Sequence, residues 1–189
     1  MNERMEDYGD HRIKKEMIDG GIYLMASPSG EHRDVQGNLL SIFNAYFKQA
    51  KKRCRARIDH ELYIDEKNTL EPDIKILCRE NKNSDIPVIV AEVLSKSTRD
   101  RDLGIKMEKY AEIGVREYWI ITWETFSIDI YALNENRRYK FCKSYVFYTS
   151  EDELKRLDDK EKTEIIKEFS PVSFPELIIQ LSDVFDIFE

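Results

Sequence analysis

The amino-acid sequence predicts an α/β (α+β) fold in which a mixed β-sheet is flanked by helices. Segments with strand-like and helix-like patterns alternate along the chain, and this alternation favours a sheet covered by helices. The segment 86–94 is almost continuously apolar, which is typical of a central strand buried on both faces. We expect one domain over residues 1–189, because this length and the 41% apolar share suffice for a single core.

The individual elements are predicted from apolar spacing and turn residues. Strands are predicted at residues 22–25, 57–64, 73–78, 86–94, 117–122, 127–133, 139–142 and 145–148. Helices are predicted at residues 31–52, 98–113 and 151–168. In the second helix Leu103, Met107 and Tyr110 form the expected buried stripe, and Lys106 lies on another face. The segment 150–189 is expected to pack back on the body through its apolar tail.

Charge limits the partners that the chain is expected to have. The net charge of -7 disfavours extensive contact with nucleic-acid phosphates, which a basic surface neutralises best. A local basic cluster nevertheless ends the first predicted helix, at Lys48, Lys51, Lys52, Arg53 and Arg55. A solvated helix end is the first interpretation of this cluster, because cations favour the negative end of the helix dipole, and a phosphate contact is the second.

Cysteine usage and hydropathy indicate a cytoplasmic protein. Cys54, Cys78 and Cys142 lack metal-ligand spacing and are odd in number, so we expect reduced thiols. The polar residues 1–17 are unlike a signal peptide. No apolar run approaches the roughly 20 residues of a membrane span, so we expect no membrane contact.

Glu92 is the residue that most strongly suggests a function. Its carboxylate interrupts the apolar segment 86–94, where burial costs much free energy unless the group is paired, protonated or bound to a metal. Asp73 stands at the head of the preceding predicted strand, so pairing of the two strands would bring both carboxylates together. Mg²⁺ and Mn²⁺ prefer oxygen ligands of this kind and activate water for attack on a phosphodiester. The alternatives are an ion pair for Glu92 and a turn cap for Asp73.

Short motifs along the chain strengthen the metal interpretation. They are residues 18–25, Ser27-Pro28-Ser29 with His32, Glu71-Pro72-Asp73, residues 91–95, Asp100-Arg101-Asp102 with Lys106 and Tyr110, and residues 114–119. In order and spacing they resemble the Uma2 family (domain of unknown function 820) of PD-(D/E)xK restriction-endonuclease-like proteins. The likeness covers the chain from about residue 15 onward. Each motif is weak alone, and their order makes the resemblance specific.

The resemblance implies a metal held by Asp73, Glu92 and the main-chain carbonyl of Val93. The position two residues after Glu92, where the superfamily carries a lysine, is Leu94. The resemblance therefore moves the lysine to Lys106 in the following helix, with Lys96 as second choice, and there it would position water or stabilise charge on phosphorus. An exposed helix lysine is the alternative for Lys106.

Two further residues have both a functional and a structural interpretation. His32 matches a family position and would contact phosphate or support the metal, and a capping or core histidine is the alternative. Glu61 would be an outer carboxylate of the site or a solvent-facing residue.

The sequence thus predicts a Mg²⁺- or Mn²⁺-dependent endonuclease that hydrolyses phosphodiester bonds of DNA. A homodimer is the expectation for a fold of this kind that cuts two strands. The first alternative is a non-catalytic interaction protein with the nuclease fold, favoured by the acidic charge and by Leu94 in place of a lysine. The second is a phosphodiesterase acting on RNA or nucleotides.

Overall fold

The computed structural model describes residues 14–79, 85–95, 98–148, 151–158, 161 and 165–187. The strands are β1 (Lys15–Ile18), β2 (Gly21–Leu24), β3 (Cys54–Ile58), β4 (Leu62–Asp65), β5 (Asn68–Leu70), β6 (Ile74–Cys78), β7 (Ile89–Val93), β8 (Glu117–Thr122), β9 (Ser127–Leu133), β10 (Tyr139–Val146), β11 (Glu168–Phe169) and β12 (Ile179–Gln180). The helices are α1 (Gly30–Gln49), α2 (Arg99–Asp102), α3 (Ile105–Ile113), α4 (Glu151–Arg156) and α5 (Leu181–Val184).

A six-stranded mixed sheet forms the centre of the fold. Its strand order is β10-β9-β8-β7-β6-β3, with β7 and β8 parallel and the other neighbours antiparallel. All five residues of β7 are buried, as the apolar segment 86–94 predicts for a central strand. Apolar side chains of α1 and of the C-terminal segment cover one face, and α3 covers the other. The predicted α+β fold is therefore confirmed.

A second, smaller sheet lies beside the central one, with strand order β2-β1-β5-β4. The sequence analysis predicts β2 but not β1, because residues 15–18 are two charged residues followed by two apolar ones and therefore lack the alternation typical of a strand. β11 and β12 form an antiparallel pair near the end of the described chain.

Helix α1 places two polar side chains at one end of the sheet. Ser29 caps the helix by accepting a hydrogen bond from the His32 main-chain N–H at 3.3 Å. The apolar stripe of α1 then packs against the sheet through Val35, Leu39, Phe43 and Phe47. His32 and Gln36 are also buried, because they continue this face toward the N-terminal end of the helix.

Two predicted elements are each divided in the structure. The segment 57–64 is not one strand, because the chain turns at Asp59 (φ 44°) and its two halves join different sheets. The segment 98–113 is not one helix, because α2 and α3 meet at Gly104. A Cβ atom at Gly104 would lie 2.8 Å from the Asp100 carbonyl oxygen, so this close approach requires glycine.

The buried stripe predicted for the second helix is confirmed at Tyr110 and at Met107, which packs against the same apolar cluster, but is wrong at Leu103. Leu103 is exposed, whereas Lys106 is fully buried together with Asp102. The reason is a set of carboxylates under α3 that the pattern of apolar residues does not reveal.

Smaller differences concern the C-terminal third of the chain. The segments predicted at 139–142 and 145–148 form the single strand β10, with a bulge between Phe141 and Lys143. Of the helix predicted at 151–168, the described part forms α4 and β11. Six apolar residues of the C-terminal segment belong to the main core cluster, namely Phe174, Leu177, Ile179, Leu181, Val184 and Phe185. Phe188 lies outside the described residues.

Cys54 and Cys78 form a disulfide, so the prediction of three reduced thiols is wrong for this pair. The two residues lie directly opposite each other on the antiparallel strands β3 and β6, with their sulfur atoms 1.98 Å apart. Their separation of 24 residues gives no signal in the sequence, because only strand pairing brings them together. Cys142 is free and exposed. Within the part of the chain that the structure describes, every helix is too short or too polar to cross a membrane.

Candidate active site

The pairing of β6 with β7 brings Asp73 and Glu92 together. Ile74 lies opposite Ala91 in the antiparallel register, so Asp73, just before β6, meets Glu92. The Val93 N–H donates to Asp73 Oδ2 at 2.9 Å, and the Asp73 N–H donates to Glu92 Oε2 at 3.3 Å. Each carboxylate is thus held by the main chain of the other strand.

Both carboxylates line a cleft of about 460 Å³. Its wall is built from the segment between β2 and α1, the end of β7, and the turn after β8. The lining includes Met25, Ser27, Pro28, His32, Val93, Ser95, Thr98, Trp123 and Glu124. A substrate group entering this cleft would therefore meet Asp73 and Glu92 at its base.

Asp73 lies among cationic and polar side chains. Lys14 Nζ lies 2.9 Å from Asp73 Oδ1, and His32 Nε2 lies 3.3 Å from the same oxygen. Gln36 Nε2 donates to the Asp73 main-chain oxygen at 3.2 Å. Burial alone would raise the pKa of Asp73, but the His32 ring and the Lys14 ammonium outweigh it and hold this pKa well below its ordinary value. Asp73 is therefore an ionised carboxylate at neutral pH.

Glu92 lies in a different environment, although it faces the same cleft. Its side chain is 1% exposed, and its Oε1 accepts a hydrogen bond from the Tyr110 hydroxyl at 2.7 Å. Lys106 Nζ lies 3.0 Å from the same oxygen. Burial raises the pKa of Glu92 to about 8, the Lys106 ammonium opposes this rise, and the Asp73 carboxylate adds to it. Two adjacent carboxylates thus have oppositely shifted pKa values, which is a frequent property of functional sites.

Lys106 is the centre of a buried ionic cluster. Its Nζ lies 2.9 Å from Glu16 Oε1 and 3.0 Å from Asp102 Oδ1, in addition to its contact with Glu92. The lysine side chain is 0% exposed and does not line the cleft. The alternative of an exposed helix lysine is therefore wrong, and Lys106 reaches the site through Glu92.

The other predicted residues lie at different places. His32 lies in the cleft, and Val93 lines it while its N–H holds Asp73. Glu61 is exposed, and its main-chain oxygen accepts a hydrogen bond from Lys75 Nζ at 2.7 Å, outside the cleft lining. Lys96 lies outside the described residues.

The sequence analysis missed several residues that contact the two carboxylates or Lys106. Lys14 and Glu16 lie in the polar stretch before the first predicted strand and carry no recognisable pattern. Asp102 could have been found, because its spacing of four residues from Lys106 places the two on one helical face. The division of that segment into α2 and α3 does not separate them, since Asp102 and Lys106 still form an ion pair.

The side chains at the base of the cleft offer two carboxylates to a divalent metal. Among the described residues, no group of three or more His, Cys, Asp or Glu side chains is arranged to hold a metal ion. Two carboxylates converge, and the cation beside them is the Lys14 ammonium. His32 Nε2 is buried without a hydrogen-bond partner among these residues. Mg²⁺ or Mn²⁺ would fit a ligand set of two carboxylates, a main-chain oxygen, water and a substrate phosphate. The Lys14 ammonium would have to move away from Asp73 for the metal to bind.

The fold and the site define the class of protein. A central mixed sheet that presents an aspartate after proline and a glutamate on the adjacent strand is the architecture of restriction-endonuclease-like proteins. The Uma2 family profile, described as "Putative restriction endonuclease", matches residues 2–179. The chain therefore belongs to the Uma2 family, as the motifs in the sequence predict.

Two known proteins are similar to this chain. A crystal structure described as that of "a putative nuclease belonging to DUF820", from Anabaena variabilis, superposes with a TM-score of 0.67. It is 17% identical and covers 91% of this chain and 89% of its own, so the likeness establishes the fold. An "Uncharacterized protein" from Synechocystis sp. is 28% identical over 131 residues, which are 66% of this chain and 69% of that protein.

Proposed function

We propose that this chain is a Mg²⁺- or Mn²⁺-dependent endonuclease that hydrolyses phosphodiester bonds of DNA. The observation that carries the proposal is the convergence of Asp73 and Glu92, from adjacent strands, at the base of one cleft. Burying two carboxylates side by side is costly, since each raises the free energy of ionising the other, and a bound divalent cation would offset this cost. A family described by restriction endonuclease activity supports a nucleic acid as the substrate.

Asp73, Glu92 and the carbonyl of Val93 would hold the metal. Bound there, a divalent ion would neutralise charge on the phosphate and lower the pKa of a water molecule. Hydrolysis joins the oxygen of that water to phosphorus and breaks one P–O ester bond, which leaves a phosphomonoester and an alcohol. The protein contributes an ionised Asp73 and a Glu92 whose orientation is fixed by Tyr110.

The two buried lysines would have different roles. We assign Lys106 as a positioning residue, because its ammonium contacts carboxylates and fixes Glu92 without reaching the cleft. Lys14 lines the cleft, so we assign contact with a phosphate oxygen to Lys14 and to His32. With these two roles assigned, the proposed mechanism does not need a lysine at position 94.

Plasmid nicking in the presence of Mn²⁺ tests the proposal. Wild-type protein should convert supercoiled plasmid to nicked or linear forms, and the near-isosteric variants Glu92→Gln and Asp73→Asn should lose at least about 100-fold in rate, as expected when a metal ligand is removed. Glu108→Gln, an exposed carboxylate on α3, is the matched control. Equal nicking by all four proteins would assign the activity to a contaminant and discard this site.

Cleavage assays with several substrates side by side distinguish a DNA endonuclease from a phosphodiesterase that acts on RNA or nucleotides. Single-stranded DNA, RNA of the same sequence and bis(p-nitrophenyl) phosphate should be cleaved more slowly than duplex DNA, and faster cleavage of RNA would favour the RNA phosphodiesterase. Light scattering on the same sample tests the expected homodimer, which cleavage of both strands of a duplex would require.

One observation favours the non-catalytic alternative. Lys14 and Asp73 already form an ion pair of 2.9 Å, so the carboxylate is satisfied without a metal. A protein that uses its fold only for interaction would bind no Mn²⁺ at this cleft and would cleave none of the substrates. Calorimetric titration with Mn²⁺ therefore separates the two functions before any assay of cleavage.

A further inference from the structure

Four arginines lie exposed along the edge of the central sheet. Arg55 and Arg57 belong to β3, Arg53 precedes it, and Arg79 follows β6. We call these four residues the arginine strip. The strip includes part of the basic cluster noted in the sequence and extends it from the end of α1 onto the sheet.

The register of β3 and β6 places the strip on one face of the sheet. Ala56 is buried under α1, so Arg55 and Arg57 point to the opposite side, because successive strand residues alternate. Arg57 lies opposite Lys75, and the Arg79 N–H donates to the Arg53 carbonyl at 2.9 Å. Arg53, Arg55 and Arg57 are two residues apart, so their Cα atoms span about 13 Å at about 3.3 Å per residue.

The positive charge of the strip is not neutralised by nearby ion pairs. Within the described ranges, no carboxylate lies within 4.0 Å of the guanidinium groups of the four arginines. Burial and the charge of Arg57 lower the pKa of Lys75, which lies opposite Arg57 on β6, to about 8, although the carboxylates of Asp85, Glu61 and Glu71 oppose this shift. A protein with a net charge of -7 therefore concentrates unpaired cations at one sheet edge.

The strip ends at the candidate active site. After Ile58 the chain turns at Asp59, whose Oδ1 lies 3.0 Å from Lys14 Nζ and accepts a hydrogen bond from Gln36 at 3.2 Å. Lys14 and Gln36 both contact Asp73 as well. A chain of phosphates lying along β3 would thus be directed toward the cleft.

We propose that the arginine strip binds the phosphodiester backbone of a nucleic acid and leads it into the cleft. Arginine suits this role because its planar guanidinium donates two parallel hydrogen bonds to a phosphate. The inference deepens the proposed function but stands on separate residues. The competing explanation is that charged side chains protect an edge strand from pairing with other proteins.

Binding measured without cleavage tests the strip. Fluorescence anisotropy with a labelled 20-nucleotide single strand and a 20-base-pair duplex, in EDTA, compares wild type with the double variant R55Q/R57Q at 50–200 mM NaCl. Removing two phosphate contacts should lower the slope of log K against log salt by about 1.4 for the single strand and about 1.8 for the duplex. The form that wild type binds more tightly at the same salt concentration is the preferred one.

The control is K140Q/K143Q, which removes two exposed cations from β10, the opposite edge strand. It has the same change in net charge and should leave the slope at the wild-type value. Equal slopes for all three proteins, or equal losses in both double variants, would overturn the proposal. Self-association of R55Q/R57Q in light scattering, with unchanged binding, would assign the strip to edge protection instead.

The outcome is separable from that of the nicking assay. Glu108→Gln, which changes an exposed carboxylate outside the cleft lining, should keep wild-type affinity and salt slope in EDTA, because it leaves the strip intact. A wild type that binds through the strip and cleaves nothing would refute the proposed function alone. A wild type that cleaves, with a salt slope unaffected by R55Q/R57Q, would refute the strip alone.

Discussion

The raised pKa of Glu92 makes a quantitative prediction about the stability of the metal-free protein. Burial raises this pKa from 4.5 to about 8, so over that interval the folded state holds a proton that the unfolded state releases. Stability contributed by this group is complete below pH 4.5 and is lost as the pH rises through 8. One pKa unit corresponds to about 1.4 kcal/mol, so the loss between pH 5 and 8.5 is on the order of 4 kcal/mol.

Replacing Glu92 with Gln removes this titration and keeps the shape of the side chain. The difference in unfolding free energy, Glu92→Gln minus wild type, should therefore increase by about 4 kcal/mol between pH 5 and 8.5. Urea denaturation in EDTA at half-unit steps of pH measures it, and the exposed Glu108→Gln is the control whose difference should stay flat. A flat difference for Glu92→Gln would refute the reasoning, since Glu92 would then be ionised in both states at neutral pH.

Two further predictions concern Lys14 and the cysteines. Lys14→Met should bind Mn²⁺ on the order of tenfold more tightly in calorimetry without DNA, because the Lys14 ammonium, 2.9 Å from Asp73 in the wild type, competes with the metal for this carboxylate. The control Lys15→Met, at an exposed position, should bind like wild type. Weaker binding by Lys14→Met would mean that Lys14 supports the metal. Thiol titration in denaturant should find one free thiol without reductant and three with it, and C54S/C78S should lose about 3 kcal/mol for a loop of this length. Three free thiols in protein that has never met reductant would contradict the disulfide.

The sequence reveals most of the sheet because burial leaves a local pattern. The apolar segment around β7 and the regular spacing of α1 are properties of neighbouring residues, and both elements are found where they are predicted. Glu92 stands out for the same reason, as a charge in an apolar run. Pro72 and Asp73 are recognised through the order of motifs.

What the sequence does not reveal depends on contacts between distant residues. In the sequence Lys106 looks like a surface lysine, because its partner Glu16 is 90 residues away along the chain and lies in an unremarkable polar stretch. The disulfide likewise depends on the register of β3 against β6. Lys14, which contacts Asp73 from 59 positions away, belongs to the same class of contact. No periodicity within one segment encodes such pairs.

The charge balance of the site gives a physical reason for it to bind a cation, and this reason does not depend on the family assignment. Among the described residues, direct contacts join the carboxylates of Glu16, Asp59, Asp73, Glu92 and Asp102 to two ammonium groups, those of Lys14 and Lys106. The folded protein relieves this excess of negative charge by raising the pKa of Glu92, which costs stability at high pH. A protein selected for stability alone would replace such a group with a neutral side chain. Retaining the carboxylate is therefore explained by a ligand that needs it ionised, and a divalent cation satisfies both Glu92 and Asp73.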